Sequence, residues 1–464
     1  MGKKSSSCSR GRTSLRIHED VLRSIDRYLD QSEQVGSRNT WITSAICEKL
    51  LREEQAPYYT GPTQNLLTFY EFFAGGGMAR MGLGLKWRCT LANDIDKKKA
   101  KAYAINWGGE ELVVRDVQQL KTSQLPGQVS LAWASFPCQD LSLAGNGAGL
   151  AGERSGTFWG FWKLMRGLAR EDRAPDIIVL ENVTGAITSE GGRDFLAILQ
   201  ALADAGYDFG PLVIDAALFL PQSRPRLFIV AVRSSGIVPT GLTSPCPEKP
   251  FHTEALEDAF DLAPPAIRKR WHWWKLPAPP RRTSALADLI ESKPNSVEWH
   301  EPSETQKLLD MMSPVNRRKI EAAQQSGRLA IGTLYRRTRN GLQRAEVRFD
   351  DTAGCLRTPG GGSSRQTILI IQSESVRSRL ITPREAARLM GLPDKYRLPS
   401  SYNDAYHLLG DGLVVPVVSH LSEHLLTPLA RARLSAETTV ERKRSEPVSD
   451  PTAAFKQSAH TVAA

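Results

Sequence analysis

The run Val129-Ser130-Leu131-Ala132-Trp133-Ala134 is apolar enough to be a central strand of a parallel sheet, covered on both faces. It ends in Ser135-Phe136-Pro137-Cys138-Gln139. Ligands in such folds bind beyond the carboxyl ends of the strands, which is where Cys138 falls. Pro137 fixes its own φ and biases Phe136 toward an extended conformation, so the thiol sits on a stiff loop. A cysteine so held is a candidate nucleophile. The alternative is a small core thiol.

A second such junction lies upstream. Leu66-Leu67-Thr68-Phe69-Tyr70 reads as a buried strand, and Glu71-Phe72-Phe73-Ala74-Gly75-Gly76-Gly77-Met78-Ala79-Arg80 follows as a glycine-rich turn. Successive glycines let the backbone approach a ligand at a helix N-terminus. The dinucleotide pattern GxGxxG is not met, because Arg80 stands at its third position, so a nicotinamide or flavin is the weaker reading. The next strand-like run, Cys89-Thr90-Leu91-Ala92-Asn93, ends at Asp94, 23 positions after Glu71. That spacing suits a carboxylate accepting hydrogen bonds from ribose hydroxyls.

With these motifs in order, the chain resembles the bacterial-type DNA (cytosine-5)-methyltransferases, from about Leu67 to Leu426. Phe73 to Gly77 resembles their S-adenosylmethionine loop, and Asn93-Asp94-Ile95-Asp96 the segment that holds ribose and packs an apolar side chain on adenine. Arg115-Asp116-Val117 resembles the adenine-amino segment, and Phe136-Pro137-Cys138-Gln139 is similar to the nucleophile loop. Glu181-Asn182-Val183 is similar to the family's ENV triplet, and Gln222-Ser223-Arg224-Pro225-Arg226 matches QxRxR. Arg379 to Tyr396 matches the region that closes the recognition domain, and Gly410-Asp411-Gly412-Leu413-Val414-Val415-Pro416 the last motif, beside the cofactor pocket. Three positions depart from the pattern: Ser135 stands for a usual glycine, Leu141 for an aromatic and Asp411 for a common asparagine.

The resemblance implies an α/β fold: a Rossmann-like methyltransferase core that uses S-adenosyl-L-methionine, with a small target recognition domain. It implies Cys138, Glu181, Arg224 and Arg226 as catalytic, and Phe73, Gly75, Gly77, Asp94, Ile95, Asp116, Pro137 and Asp411 on the cofactor. DNA contacts are expected from Gln139, Ser142, Gln222, Arg357 and Arg365. C5 of cytosine is a poor nucleophile, so a thiolate must first add at C6. Glu181 would supply a proton or hydrogen bond at N3, and Arg224 and Arg226 would hold O2 and lower the thiol pKa. Bland readings remain beside these: Glu181 as a helix cap, the two arginines as phosphate clamps, and Asp116 as a loop-capping acid.

Composition agrees. The 464 residues suffice for two or three domains. A formal charge of +10 and a pI near 9.3 suit a polyanionic partner, nucleic acid before a membrane surface. The six cysteines show no CxxC or CxxH pairing, so neither a zinc site nor a disulfide framework is expected. No signal-peptide pattern or membrane-spanning apolar run is read, so a reduced, cytoplasmic, nucleoid-associated protein is expected, with no membrane partner.

The expected organisation is a basic tail over 1–11, a ribbon-helix-helix-like domain over 12–55 and the catalytic core over 56–234. A recognition domain follows over 235–375, then the rest of the core over 376–430 and a disordered tail over 431–464. Within the recognition span, Arg268-Lys269-Arg270-Trp271-His272-Trp273-Trp274-Lys275 interleaves bases and aromatics, and Tyr335 to Asn340 is strongly basic. The arginines read as DNA contacts, the tryptophans as the small domain's own core. Near the N-terminus, Thr13-Ser14-Leu15-Arg16-Ile17 alternates, then two helical patterns follow around Val35-Gly36-Ser37. This is similar to ribbon-helix-helix proteins, which implies a homodimer presenting Ser14 and Arg16 to the major groove, with autoregulation as a second role. The methylase is expected either in a restriction-modification system, with a cognate restriction endonuclease as partner, or as an orphan or phage-type enzyme. The rival functions are a tRNA cytosine-5 methyltransferase and a DNA-binding repressor with a vestigial methylase.

Overall fold

The computed structural model describes residues 67–137, 156–339, 341–357 and 365–435. The ribbon-helix-helix segment with Ser14 and Arg16, and Cys138, Gln139, Leu141 and Ser142, lie outside them.

Seven strands form the central sheet: β1 Leu67–Phe72, β2 Trp87–Asp94, β3 Leu112–Val114, β4 Leu131–Ala134, β5 Ile177–Val183, β6 Tyr207–Asp215 and β7 Pro225–Arg233. Their order is β3-β2-β1-β4-β5-β7-β6, all parallel except β7, which runs antiparallel to both neighbours. Every residue of β4 is buried, as expected of a strand covered on both faces. The pleat divides it between two cores: Leu131 and Trp133 face one layer, Ala132 and Ala134 the other. One layer packs the helix Met78–Leu83 and the C-terminal helices against the sheet. The other packs Thr157–Arg170 and Arg193–Asp204.

The run Tyr402–Ser435 is long and apolar enough by composition to cross a membrane, unlike the expectation that none would be. Its apolar window is 72% buried inside the protein, where Leu408, Leu421, Leu425 and Leu429 complete the first layer.

A two-stranded ribbon, β8 Thr243–Ser244 with β9 Trp273–Trp274, lies next in the chain. The tryptophans correct the expectation for them. Trp271 and Trp273 join the second layer, and Trp274 joins the first while donating to the Val230 carbonyl at 3.1 Å. The reason is the exposed edge of β6. Phe209 N–H donates to Arg270 O, and His272 N–H to Phe209 O, so this basic-aromatic stretch covers a strand edge that would otherwise be unpaired.

A separate antiparallel sheet follows: β10 Ala330–Arg339, β11 Leu342–Arg348, β12 Thr367–Gln372 and β13 Ser375–Leu380, in the order β11-β10-β12-β13. With the helices Pro302–Asp310 and Pro314–Gln325 it encloses a small core of Met312, Ile320, Leu334, Ala345, Val347, Leu369 and Ile371. Arg379, on β13, is fully buried against Glu385, with Nη2 2.6 Å from Oε1. Glu385 also accepts from Thr382 N–H while Thr382 caps the helix Pro383–Leu389, a capping box that ties this sheet to the core.

Candidate active site

The glycine turn after β1 is held from behind. Trp107 Nε1 and Tyr396 Oη both donate to Gly76 O, at 2.9 and 2.8 Å. A Cβ on Gly76 would fall 2.3 Å from Tyr396 Oη, whereas one on Gly75 would meet nothing within 4 Å. The loop is therefore packed on one side and open at Gly75. Phe73 holds φ at 57°, a left-handed conformation that costs a non-glycine residue energy and clusters at ligand sites.

Asp94 ends β2 beside this opening. Its Oδ2 accepts from Gly75 N–H and its Oδ1 from Asp96 N–H, both at 2.8 Å, leaving lone pairs for further donors. Burial pushes its carboxyl above the ordinary value, against those two hydrogen bonds. Ile95 is 65% exposed next to it, an apolar side chain with an uncovered face. Asn93, which the sequence reading did not single out for the site, donates to the carbonyls of Val113 and Arg115 and so pins the end of β3 to β2. Asp116 then caps the turn Val117–Gln119 by accepting from Gln118 N–H at 2.9 Å, the bland reading of it. Asp411 brings a negative charge to this end of the sheet, and Lys99 Nζ answers it at 2.6 Å.

The second half of the site stands at the ends of β4, β5 and β7. Pro137 is exposed. Asn182 Nδ2 donates to Phe136 O at 3.0 Å, fixing the loop two residues before Cys138. Glu181 is buried, with Arg226 Nε 3.4 Å from its Oε1. Burial pushes its carboxyl up, opposed by Arg226, Arg224 and the Ser135 hydroxyl. Ser135 is also held by Trp133 Nε1 at 3.0 Å, so the departure from glycine adds a polar group beside Glu181.

Arg224 is corrected. Its Nη1 donates to Leu356 O and Cys355 Sγ at 2.8 and 3.2 Å, and its Nη2 to the carbonyls of Gly410 and Gly412, each at 2.7 Å. All four terminal N–H groups are engaged, so Arg224 ties two remote segments, 355–356 and 410–412, to its own strand end rather than facing a base. Burial, then repulsion from Arg226, lowers its pKa to about 10. Gln222 is corrected likewise: it is 0% exposed, donates to Leu389 O at 2.7 Å and accepts from Leu356 N–H at 3.2 Å, out of reach of DNA. Cys355 joins this cluster although no motif marks it in the sequence. Burial pushes its thiol up, but the Arg224 and Arg226 guanidiniums more than offset this and leave it below its ordinary value.

A family model for C-5 cytosine-specific DNA methylases matches residues 67–427, which takes in every element just described. The chain belongs to that family. It is 27% identical over 364 residues to the Type II methyltransferase M.NlaX of Neisseria lactamica, covering 78% of this chain and 96% of that protein. It is 26% identical to the Type II methyltransferase M.HpaII of Haemophilus parainfluenzae, covering 83% and 98%. Among solved structures, a Dnmt2 methyltransferase from S. pombe superposes with a TM-score of 0.50 at 18% identity, over 78% of this chain and 99% of that one. This last likeness shows the fold alone.

As a C-5 cytosine DNA methylase, the protein uses S-adenosyl-L-methionine. The open side of Gly75, the remaining lone pairs of Asp94, which is hydrogen-bonded to it, and the bare face of the adjoining Ile95 fit that molecule's ribose and adenine. Of the residues expected on DNA, Arg357 is exposed, whereas Arg365 is held by Asn403 Oδ1 and lies 5.5 Å over the Tyr402 ring.

Proposed function

We propose that this methylase transfers a methyl group to C5 of a flipped-out cytosine in a specific sequence of duplex DNA, as the modification enzyme of a Type II restriction-modification pair. The observation that supports the mechanism is the convergence of Glu181, Arg226 and the Phe136–Pro137 loop end at one edge of the sheet, where β4 and β5 end and the antiparallel β7 begins.

Cys138 adds as a thiolate to C6, forming an S–C6 bond and moving the ring's electron pair toward C5 and N3. Glu181, whose buried carboxyl holds its proton above the ordinary carboxylate range, donates to N3. Arg226 has N–H groups to offer O2 of the base, the part first shared with Arg224. Asp94, Ile95, Phe73, Gly75, Gly77, Asp116, Pro137 and Asp411 are the proposed cofactor contacts. When bound, S-adenosyl-L-methionine presents an electrophilic methyl group on sulfur. Loss of the C5 proton and breakage of S–C6 then restore the ring and free Cys138. Flipping the base costs a few kcal/mol, offset by protein contacts.

Radiolabelled methyl transfer to duplex DNA and to tRNA, run side by side, tests this. Label on DNA that survives as 5-methylcytosine supports it. Label on tRNA alone, or on neither, overturns it.

A further inference from the structure

Towards its tip the hairpin β10–β11 carries arginine charge, at Arg337 and Arg344, that no carboxylate among the described residues answers. Its base is neutralised and packed: Tyr335 Oη donates to Glu346 at 2.7 Å, Arg348 pairs with Asp350 at 2.7 Å, and Leu334, Ala345 and Val347 are buried in the small core. Met311 O accepts from Ala345 N–H and Lys319 Nζ reaches Val347 O at 3.0 Å, so β11 is held at the base, while β10 is held there by its pairing with β12. Beyond the Arg336–Ala345 pair the ribbon is exposed. There Arg337 stands directly opposite Arg344, and among the described residues no carboxylate pairs with either. Like charges at directly opposed positions destabilise a ribbon. Arg337 is stacked 4.8 Å over the Tyr335 ring, which orients one of them outward without neutralising it.

The dimensions are those of a groove reader. Arg339 pairs with Leu342 in the backbone register, and Gly341 before Leu342 holds φ at 76°, a conformation that tight hairpins favour. Beyond the Arg336–Ala345 pair, the last to include a buried residue, β10 extends three residues, about 10 Å. The major groove of B-DNA is about 8.5 Å deep and admits a two-stranded ribbon, while that of A-form RNA is too narrow for side chains to read. Leu342, 58% exposed near the tip, is an apolar group suited to a thymine methyl; Gln343 offers a donor and an acceptor for a bidentate contact with adenine, and Arg344 two donors for guanine. The hairpin is also wired to the catalytic cluster. Seven residues after Arg348, where β11 ends, the chain reaches Cys355, against Arg224, and Ala353 O accepts from Ser223 N–H at 2.9 Å.

The geometry points to this hairpin as the element that enters the major groove of duplex DNA, with Arg337, Leu342, Gln343 and Arg344 setting which sequence is methylated. This rests on the DNA reading above. The test is bisulfite sequencing of DNA from methylation-free cells expressing wild type, Arg337→Ala, Gln343→Ala or Arg344→Ala, with cofactor affinity of each purified protein as the fold control. Wild type should mark one motif. Each variant should bind S-adenosyl-L-methionine as wild type does, yet lose tenfold or more in rate at that motif or relax its choice at one base position. Variants that mark the same motif at the wild-type rate overturn the hairpin's role and leave the enzyme's DNA reading intact. A wild type that marks no DNA overturns both.

Discussion

Arg226 Nε lies 3.4 Å from Glu181 Oε1, inside a site where burial outweighs that ion pair and holds the carboxyl above its ordinary range. The neutral acid is the form that can donate to N3. Because the folded-state pKa is raised, the proton persists beyond the range of an exposed glutamate and is lost as pH rises through the raised value. The pH profile of kcat/KM should therefore carry a descending limb that Glu181→Gln removes, along with most of the rate. A limb that persists unchanged in Glu181→Gln belongs to another group.

Cys138→Ser should abolish methyl transfer, since a neutral hydroxyl adds poorly to C6, while DNA and cofactor binding persist. Duplex DNA carrying 5-fluorocytosine should trap the wild type as a denaturation-resistant adduct on gels, because fluorine blocks the loss of hydrogen that frees the thiol. Near-normal turnover by the serine variant would sink covalent catalysis.

Asp94→Ala removes the acceptor at the mouth of the glycine turn. Cofactor affinity measured by calorimetry should fall by roughly 1–3 kcal/mol, the value of hydrogen bonds to a charged group. Gly75 N–H also loses its partner, so the loop should become more protease-sensitive without ligand. Unaltered affinity would remove Asp94 from the ribose site.

The two arginines of the QxRxR motif should separate by readout. Arg224→Ala leaves the carbonyls of Leu356, Gly410 and Gly412 unpaired in the interior and should lower stability by about 3 kcal/mol or more. Arg226→Ala should cut kcat at least tenfold with a small change in Tm. Equal Tm losses in both would mean that Arg226 is also structural.

Glu71, fully buried under the glycine turn, accepts from Arg80 N–H at 3.3 Å while its Oε2 meets no donor among the described residues. Burial pushes its pKa up to about 8, with Arg80 opposing. A folded-state value above the unfolded one means the native state binds the proton more tightly, so this stability is present in acid and lost as pH rises from the ordinary carboxylate range toward 8. Glu71→Gln should flatten the decline of Tm over that window. An identical decline would show that Glu71 is not its source.

What the sequence determined by itself was local. Apolar runs ending in Gly, Pro or acidic residues marked β1, β2, β4 and β5, and with them Gly75, Asp94, Pro137 and Glu181, because strand burial and turn chemistry are written within a few neighbouring residues. Tertiary structure decided which polar side chains turn inward. Gln222 and Arg224 look like their neighbour Arg226 in sequence, yet they are buried because segments 131 to 188 positions away bring carbonyls and a thiol to meet them. The tryptophans of 271–274 cover β6 for a similar reason: only the finished sheet has an edge there to cover. Cys355 owes its lowered pKa to two guanidiniums far off in the chain, an electrostatic environment that exists only once the chain has folded.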